Sequence, residues 1–149
     1  MVALFLAGAG VGNLTLVDAD SVELSNLHRQ LAFRESDIHQ PKAQALQNQL
    51  VSLNSDIAVT SVLRSFGDDA ESDAELLGDV DIVIDATDNL ASRHAIERLT
   101  RDAKKPWIMG AATRLHGQVA SFSQSRAEGC YQCVAPSEQR ARKGPTLQG

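Results

Sequence analysis

Apolar positions along the chain fall into short runs whose period switches between helical and extended. Met1 to Ala9 is apolar on all sides and ends in glycines, which predicts the last turns of a buried helix with a glycine stop. Asn13 to Asp18 is a β-rich run closed by an acid and predicts a strand. Ser21 to Phe33 mixes polar and apolar residues and reads as loop with a short helical turn. From Pro41 to Leu53 the spacing of Ala45, Leu46, Leu50 and Leu53 is helical, with Pro41 at the start, where its missing N–H costs least. Ile57 to Leu63 predicts a second strand. Asp68 to Leu77 predicts a short helix whose acids sit at the favourable end of its dipole. Val80 to Ala86 predicts a strong strand, and Asn89 to Ala103 a helix burying Leu90, Ile96 and Leu99. Pro106 to Gly110 and Leu115 to Ser123 predict two more strands.

Strands alternating with helices predict an α/β domain over residues 1–133, an open, mostly parallel sheet with helices on both faces. After Cys133 the residues turn polar and basic, so 134–149 is expected to be a disordered tail. Ligands of such sheets bind beyond the carboxyl ends of the strands. Two acids stand there: Asp18 closes the first strand, and Asp88 follows the Val80 to Ala86 strand.

Composition narrows the function classes. A chain of 149 residues that is 43% hydrophobic is long enough to bury a real core, and its length leads one to expect a single domain. No apolar run approaches the ~18 residues of a membrane span, so no membrane partner is expected. A net charge of -5, with one Trp, one Tyr and four Phe, argues against nucleic acid as a ligand. The apolar start has no Lys or Arg before it, unlike a signal peptide, so a cytoplasmic location is expected.

Each candidate motif has a plain structural alternative. Gly8-Ala9-Gly10-Val11-Gly12 resembles a phosphate loop, but a dinucleotide fingerprint needs strand, glycines, then helix. Here the order is helix, glycines, strand, which is a turn between elements. Asp18 could accept from ribose hydroxyls or simply form a turn. Asn26, Arg29 and Lys42 suit polyphosphate, the arginine as a fork and the lysine as a point charge, yet by composition they are solvated surface. Arg101, Lys104 and Lys105 read as surface. In Thr87-Asp88-Asn89 a carboxylate could hold Mg2+ against phosphate oxygens, or Asp88 or Thr87 could cap the following helix. The two cysteines, Cys130 and Cys133, form one CxxC, which suits a metal or redox role better than a disulfide framework. A structural zinc usually takes two such pairs, and none of the four histidines is spaced as a partner.

Read in order, these stretches resemble one family. Ala7 to Asp18, Ser25-Asn26-Leu27-His28-Arg29-Gln30, Gln40-Pro41-Lys42, Asp85-Ala86-Thr87-Asp88-Asn89, Gly110-Ala111-Ala112, Gly117-Gln118 and Cys130-Tyr131-Gln132-Cys133 look like the HesA/MoeB/ThiF family, relatives of the ubiquitin-activating enzymes. The resemblance implies a Rossmann-like fold. It also implies ATP-dependent adenylation of the C-terminal glycine of a ubiquitin-like sulfur carrier of the MoaD/ThiS kind, with Mg2+ as cofactor and a homodimer as the assembly. Carried over by position, Asp18 binds the ATP ribose, and Asn26, Arg29 and Lys42 hold the phosphates. Asp88 binds Mg2+ with Asn89 beside it. Arg29, Lys42 and Asp88 are the residues implied for catalysis. Cys130 and Cys133 match the first half of the family's four-cysteine zinc site, so zinc is expected only with a second CxxC. The family's first strand and ATP-cradling glycine loop would precede Met1, and its second CxxC would follow residue 149. The expectation is therefore an N-terminally truncated fragment, also cut short at its C-terminal end. The alternative function is a catalytically inactive nucleotide-fold module that binds a carrier or serves as a dimerisation partner.

Overall fold

The computed structural model describes residues 1–113, 115–124 and 129–131. The chain divides into two compact units, Met1–Asp68 and Asp69–Gly149. The expected tail, 134–149, lies outside the described residues.

In the first unit α1 (Val2–Gly8) leads to β1 (Asn13–Val17), and α2 (Lys42–Leu53) to β2 (Ala58–Val62). β1 and β2 pair in parallel, with Leu14 opposite Val59 and Leu16 opposite Ser61. Period-two alternation places these residues on one face. There Ala7 of α1, Leu50 of α2, Ile57 and Val59 are buried together, with Ala3, Leu4, Leu14, Leu16 and Leu46 packed around them. Asn13, Thr15, Ala58 and Thr60 on the other face are exposed.

The glycine run ends α1 as a turn. Gly10 takes φ +81°, its N–H donates to the Ala7 carbonyl, and the Val11 N–H donates to the Leu6 carbonyl. This pair of bonds is the left-handed helix stop that glycine adopts without steric cost. The order helix, glycines, strand is therefore observed.

Two burial expectations are corrected here. α1 buries only Ala7, and Phe5 is 71% exposed, because the helix touches the core along one stripe. Leu53, the last residue of α2, is 55% exposed. Asn54 ends the helix and reaches α1 instead, its Nδ2 donating to the Ala7 carbonyl at 2.9 Å.

The second unit runs α3 (Ala70–Gly78), β3 (Val83–Asp85), α4 (Leu90–Asp102), β4 (Trp107–Thr113) and β5 (His116–Phe122). β3 and β4 are parallel; β4 and β5 form an antiparallel hairpin with Trp107 opposite Phe122. Those two rings stack at 4.6 Å, and Tyr131 meets both edge-on. Leu77, Ile96, Leu99 and Met109 are buried as well.

β3 is shorter than the predicted Val80 to Ala86 strand. Its only ladder among the described residues is with Trp107 to Met109, and Asp85 already turns the chain. Leu90, expected inside, is 52% exposed, because it opens α4 immediately after the capping residue. Ile96 and Leu99 are buried as expected. The α/β class holds, with two parallel pairs and one antiparallel edge strand among the described residues.

Leu50→Ala should destabilise the chain by about 2–5 kcal/mol in urea unfolding, through lost burial and the cavity left behind. Phe5→Ala on the exposed side of α1 should stay within about 0.5 kcal/mol of the parent.

Candidate functional site

In the first unit the loop after β1 is tied to the start of α2. Asp18 directly follows β1, and its Oδ1 accepts from the Asp20 N–H at 2.8 Å. This is a turn formed by an aspartate side chain two residues ahead of the donor. The turn places Asp20 against α2: the Lys42 N–H donates to the Asp20 carbonyl, and Lys42 Nζ donates to Asp20 Oδ2 at 2.7 Å. Val22, fully buried, exchanges backbone hydrogen bonds with Gln40 and His39.

Lys42 is the first residue of α2, and a cation there opposes the helix dipole. Its side chain is nevertheless 13% exposed and held by a carboxylate that is itself 70% exposed. Asn26 is buried, and its Oδ1 accepts from the Glu23 N–H at 3.2 Å. Arg29 is exposed, its Nη1 donating to the Ser25 carbonyl at 2.8 Å. By composition these three read as solvated surface. The structure corrects that for Asn26 and Lys42 and keeps it for Arg29. The signal for Lys42 was the Pro41-Lys42 pair at a helix start, where a lysine has no structural reason to be.

In the second unit β3 ends in a buried carboxylate that the sequence reading did not single out. Asp85 Oδ1 accepts from both the Thr87 N–H at 2.8 Å and the Thr87 Oγ1 at 2.7 Å. Its Oδ2 accepts from Arg93 Nε at 3.0 Å. Arg93 Nη2 also donates to the Thr87 carbonyl, and its Cζ lies 5.9 Å from the centre of the Tyr131 ring. Burial works to lower the Arg93 pKa, but hydrogen bonds to Tyr131 and Asp85 outweigh it and hold the pKa above the ordinary arginine value. Arg93 therefore stays charged across the whole working pH range. The trace of this pair in the sequence was an acid closing an apolar run, with an arginine eight residues on.

The loop above this pair carries the predicted acid. The residue that caps α4 is Asn89, whose Oδ1 accepts from the Ser92 N–H at 2.8 Å. The cap expected of Asp88 or Thr87 is corrected accordingly. Thr87 is engaged with Asp85, and Asp88 is exposed. Among the described residues Asp88 makes no side-chain hydrogen bond or ion pair. Mg2+ in a nucleotide site takes one or two carboxylates and fills its remaining positions with phosphate oxygens and water. A single exposed, unengaged carboxylate fits that pattern. Among the described residues no group of three or more His, Cys, Asp and Glu could cage a metal. Cys130 is half-buried, and Cys133 lies outside the described residues.

The loops that bear Asp18 and Asp88 follow parallel strands β1 and β3 at their carboxyl ends, where α/β sheets take their ligands. The comparisons with known proteins agree on the class. Residues 1–148 match the ThiF family, and the chain belongs to it. The molybdopterin-synthase adenylyltransferase of Escherichia coli (strain K12) is 43% identical over 131 residues, which are 88% of this chain and 52% of that protein. The sulfur carrier protein ThiS adenylyltransferase of the same organism is 40% identical over 141 residues, 95% of this chain and 55% of that protein. The chain thus spans about half the length of the curated relatives it matches. Among solved structures, selenomethionine PaaA matches with a TM-score of 0.76 at 28% identity, over 94% of this chain and 47% of that one. E. coli MccB with AMPCPP and MccA matches with a TM-score of 0.78 at 25% identity, over 95% of this chain and 42% of that one.

The capping assignment separates two neighbours. Asn89→Ala should cost about 1 kcal/mol of stability through the lost cap. Asp88→Ala should leave the melting curve within about 0.5 kcal/mol of the parent. Thermal unfolding of the two variants side by side checks both.

Proposed function

We propose that the protein adenylates the C-terminal glycine of a ubiquitin-like sulfur carrier, using ATP and releasing pyrophosphate. The observation that carries this reading is Asp88: an exposed carboxylate with no partner among the described residues, between Thr87 and Asn89, both of which are held by side-chain hydrogen bonds. It stands in a chain that is 43% identical to a molybdopterin-synthase adenylyltransferase and 40% identical to a sulfur carrier protein ThiS adenylyltransferase.

The carrier carboxylate attacks the α-phosphorus of ATP. A new C–O–P bond forms, the α–β phosphoanhydride bond breaks, and pyrophosphate leaves with the electron pair. Two anions must approach each other, so the work of the protein is to offset negative charge and to orient the reactants. No side-chain nucleophile is required. Asp18 accepts from the ribose hydroxyls, as an acid at a strand end does in nucleotide folds. Lys42 has three donors, so it can keep Asp20 and still reach a phosphate oxygen. Arg29 offers a planar fork to the phosphates from an exposed position. Asn26 is already ordered by its bond to Glu23, which leaves its amide N–H groups for a phosphate oxygen. Asp88 would hold Mg2+, which supplies positive charge against the phosphates. Asn89 spends its Oδ1 on the helix cap, so it would contribute its amide N–H groups.

The further parts of the reading rest on family resemblance. They are a homodimer, a cytoplasmic location, and zinc at Cys130 and Cys133 once a second CxxC completes the four ligands. No helix among the described residues is long and apolar enough to cross a membrane.

The test is ATP–pyrophosphate exchange in the presence of a carrier ending in glycine. Asp88→Ala and Lys42→Ala should each lower the exchange rate about 100-fold or more, the usual loss for a group that stabilises transition-state charge. Exchange that survives Asp88→Ala undiminished contradicts the assignment of Asp88.

A further inference from the structure

We infer that Asp85 and Arg93 are positioning residues for Asp88, holding the Thr87–Asn89 loop so that its one unengaged carboxylate is presented in a fixed place. The inference rests on the reading of Asp88 as the carboxylate that meets Mg2+ and ATP.

The loop is fastened on both sides of Asp88. On the near side Thr87 is held through three of its atoms: N and Oγ1 donate to Asp85 Oδ1, and its carbonyl accepts from Arg93 Nη2. On the far side Asn89 is held by the helix cap. Arg93 crosses back from α4 to reach both the strand end and the loop, and Tyr131 lies against its guanidinium. Asp85 has no side-chain exposure, and Arg93 has 10%. A buried ion pair is a poor way to gain stability, because apolar residues of similar size in its place are often as stable or more so. What apolar residues lack is the set of directional bonds that fix Thr87. Partners that orient a metal-binding side chain in this way typically govern metal affinity by about 10–100-fold.

The decisive variant removes the bonds and keeps the packing: Asp85→Leu with Arg93→Met in the 149-residue chain. ATP affinity is measured by calorimetry with Mg2+ and again with EDTA, beside hydrogen exchange at the amides of 87–89. The expected result is a folded chain whose affinity gain from Mg2+ falls about 10-fold or more, with the affinity in EDTA unchanged and faster exchange at Thr87. An unchanged gain from Mg2+ with slow exchange at Thr87 overturns the inference. Arg93→Lys, which keeps the charge and loses the fork, covers the case in which the double variant does not fold, and should show a smaller loss in the same direction. Asp88→Ala runs in parallel. If it leaves the gain from Mg2+ intact, or if the parent chain shows no such gain, the reading of Asp88 falls. Exchange at Thr87 then decides the positioning role alone: faster in the variants supports it, unchanged overturns it.

Discussion

A carboxylate at the end of an apolar strand must be hydrated or paired, because an unpaired buried charge is among the costliest things a fold can contain. Asp85 is paired, and the pairing organises much of the second unit. Its Oδ2 takes Arg93 of α4, so the helix is drawn onto the strand end; its Oδ1 takes Thr87, so the loop between them closes tightly. Asn89 then begins α4 with a side-chain cap. Beneath the pair, Tyr131 joins Arg93 to the stacked rings of Trp107 and Phe122, which tie β4 to β5. One ion pair thus links strand, loop, helix and aromatic core, and leaves Asp88 facing solvent.

The first unit uses the same logic with weaker parts. A lysine at the start of a helix is electrostatically misplaced, and Asp20 compensates for it from a loop that Asp18 has turned. Because Asp20 is exposed, the Lys42–Asp20 pair contributes little to stability. Its consequence is placement: the ammonium is kept near the carboxyl end of β1, the end at which α/β sheets take their ligands. In both units, then, a charged group that local stability does not call for sits at the mouth of a parallel strand pair.

How much of this could be read in advance follows from the range of each interaction. Order and type of the elements depend on local period and on punctuation, so the alternation of β1, α2, β2, α3, β3, α4 and β4 was legible. So was the glycine stop after α1. Burial depends on what lies opposite, which is why Phe5, Leu53 and Leu90, apolar and correctly spaced, are exposed. The extent of β3 depends on the length of its ladder with β4, not on the apolar run that contains it. Asp18, Lys42 and Asp88 were singled out as candidates because their motifs are contiguous. Asp85 and Arg93 were not, because their relation spans a strand end and the second turn of a helix, and neither residue alone departs from a common pattern. Asn89 was overlooked as the cap because three adjacent residues could each have served, and only the engagement of Thr87 with Asp85 decides among them.

The most direct test of the nucleotide reading is residue-resolved. Backbone amide resonances of the isotopically labelled chain would be followed while ATP is added in Mg2+. Binding by the assigned residues predicts saturable shifts concentrated at 18–29, at Lys42 and at 87–89, with the amides of β5 and the outer face of α4 left in place. Saturable shifts confined to other surfaces, or a folded chain whose amides at 18–29, 42 and 87–89 do not respond at all, would contradict it.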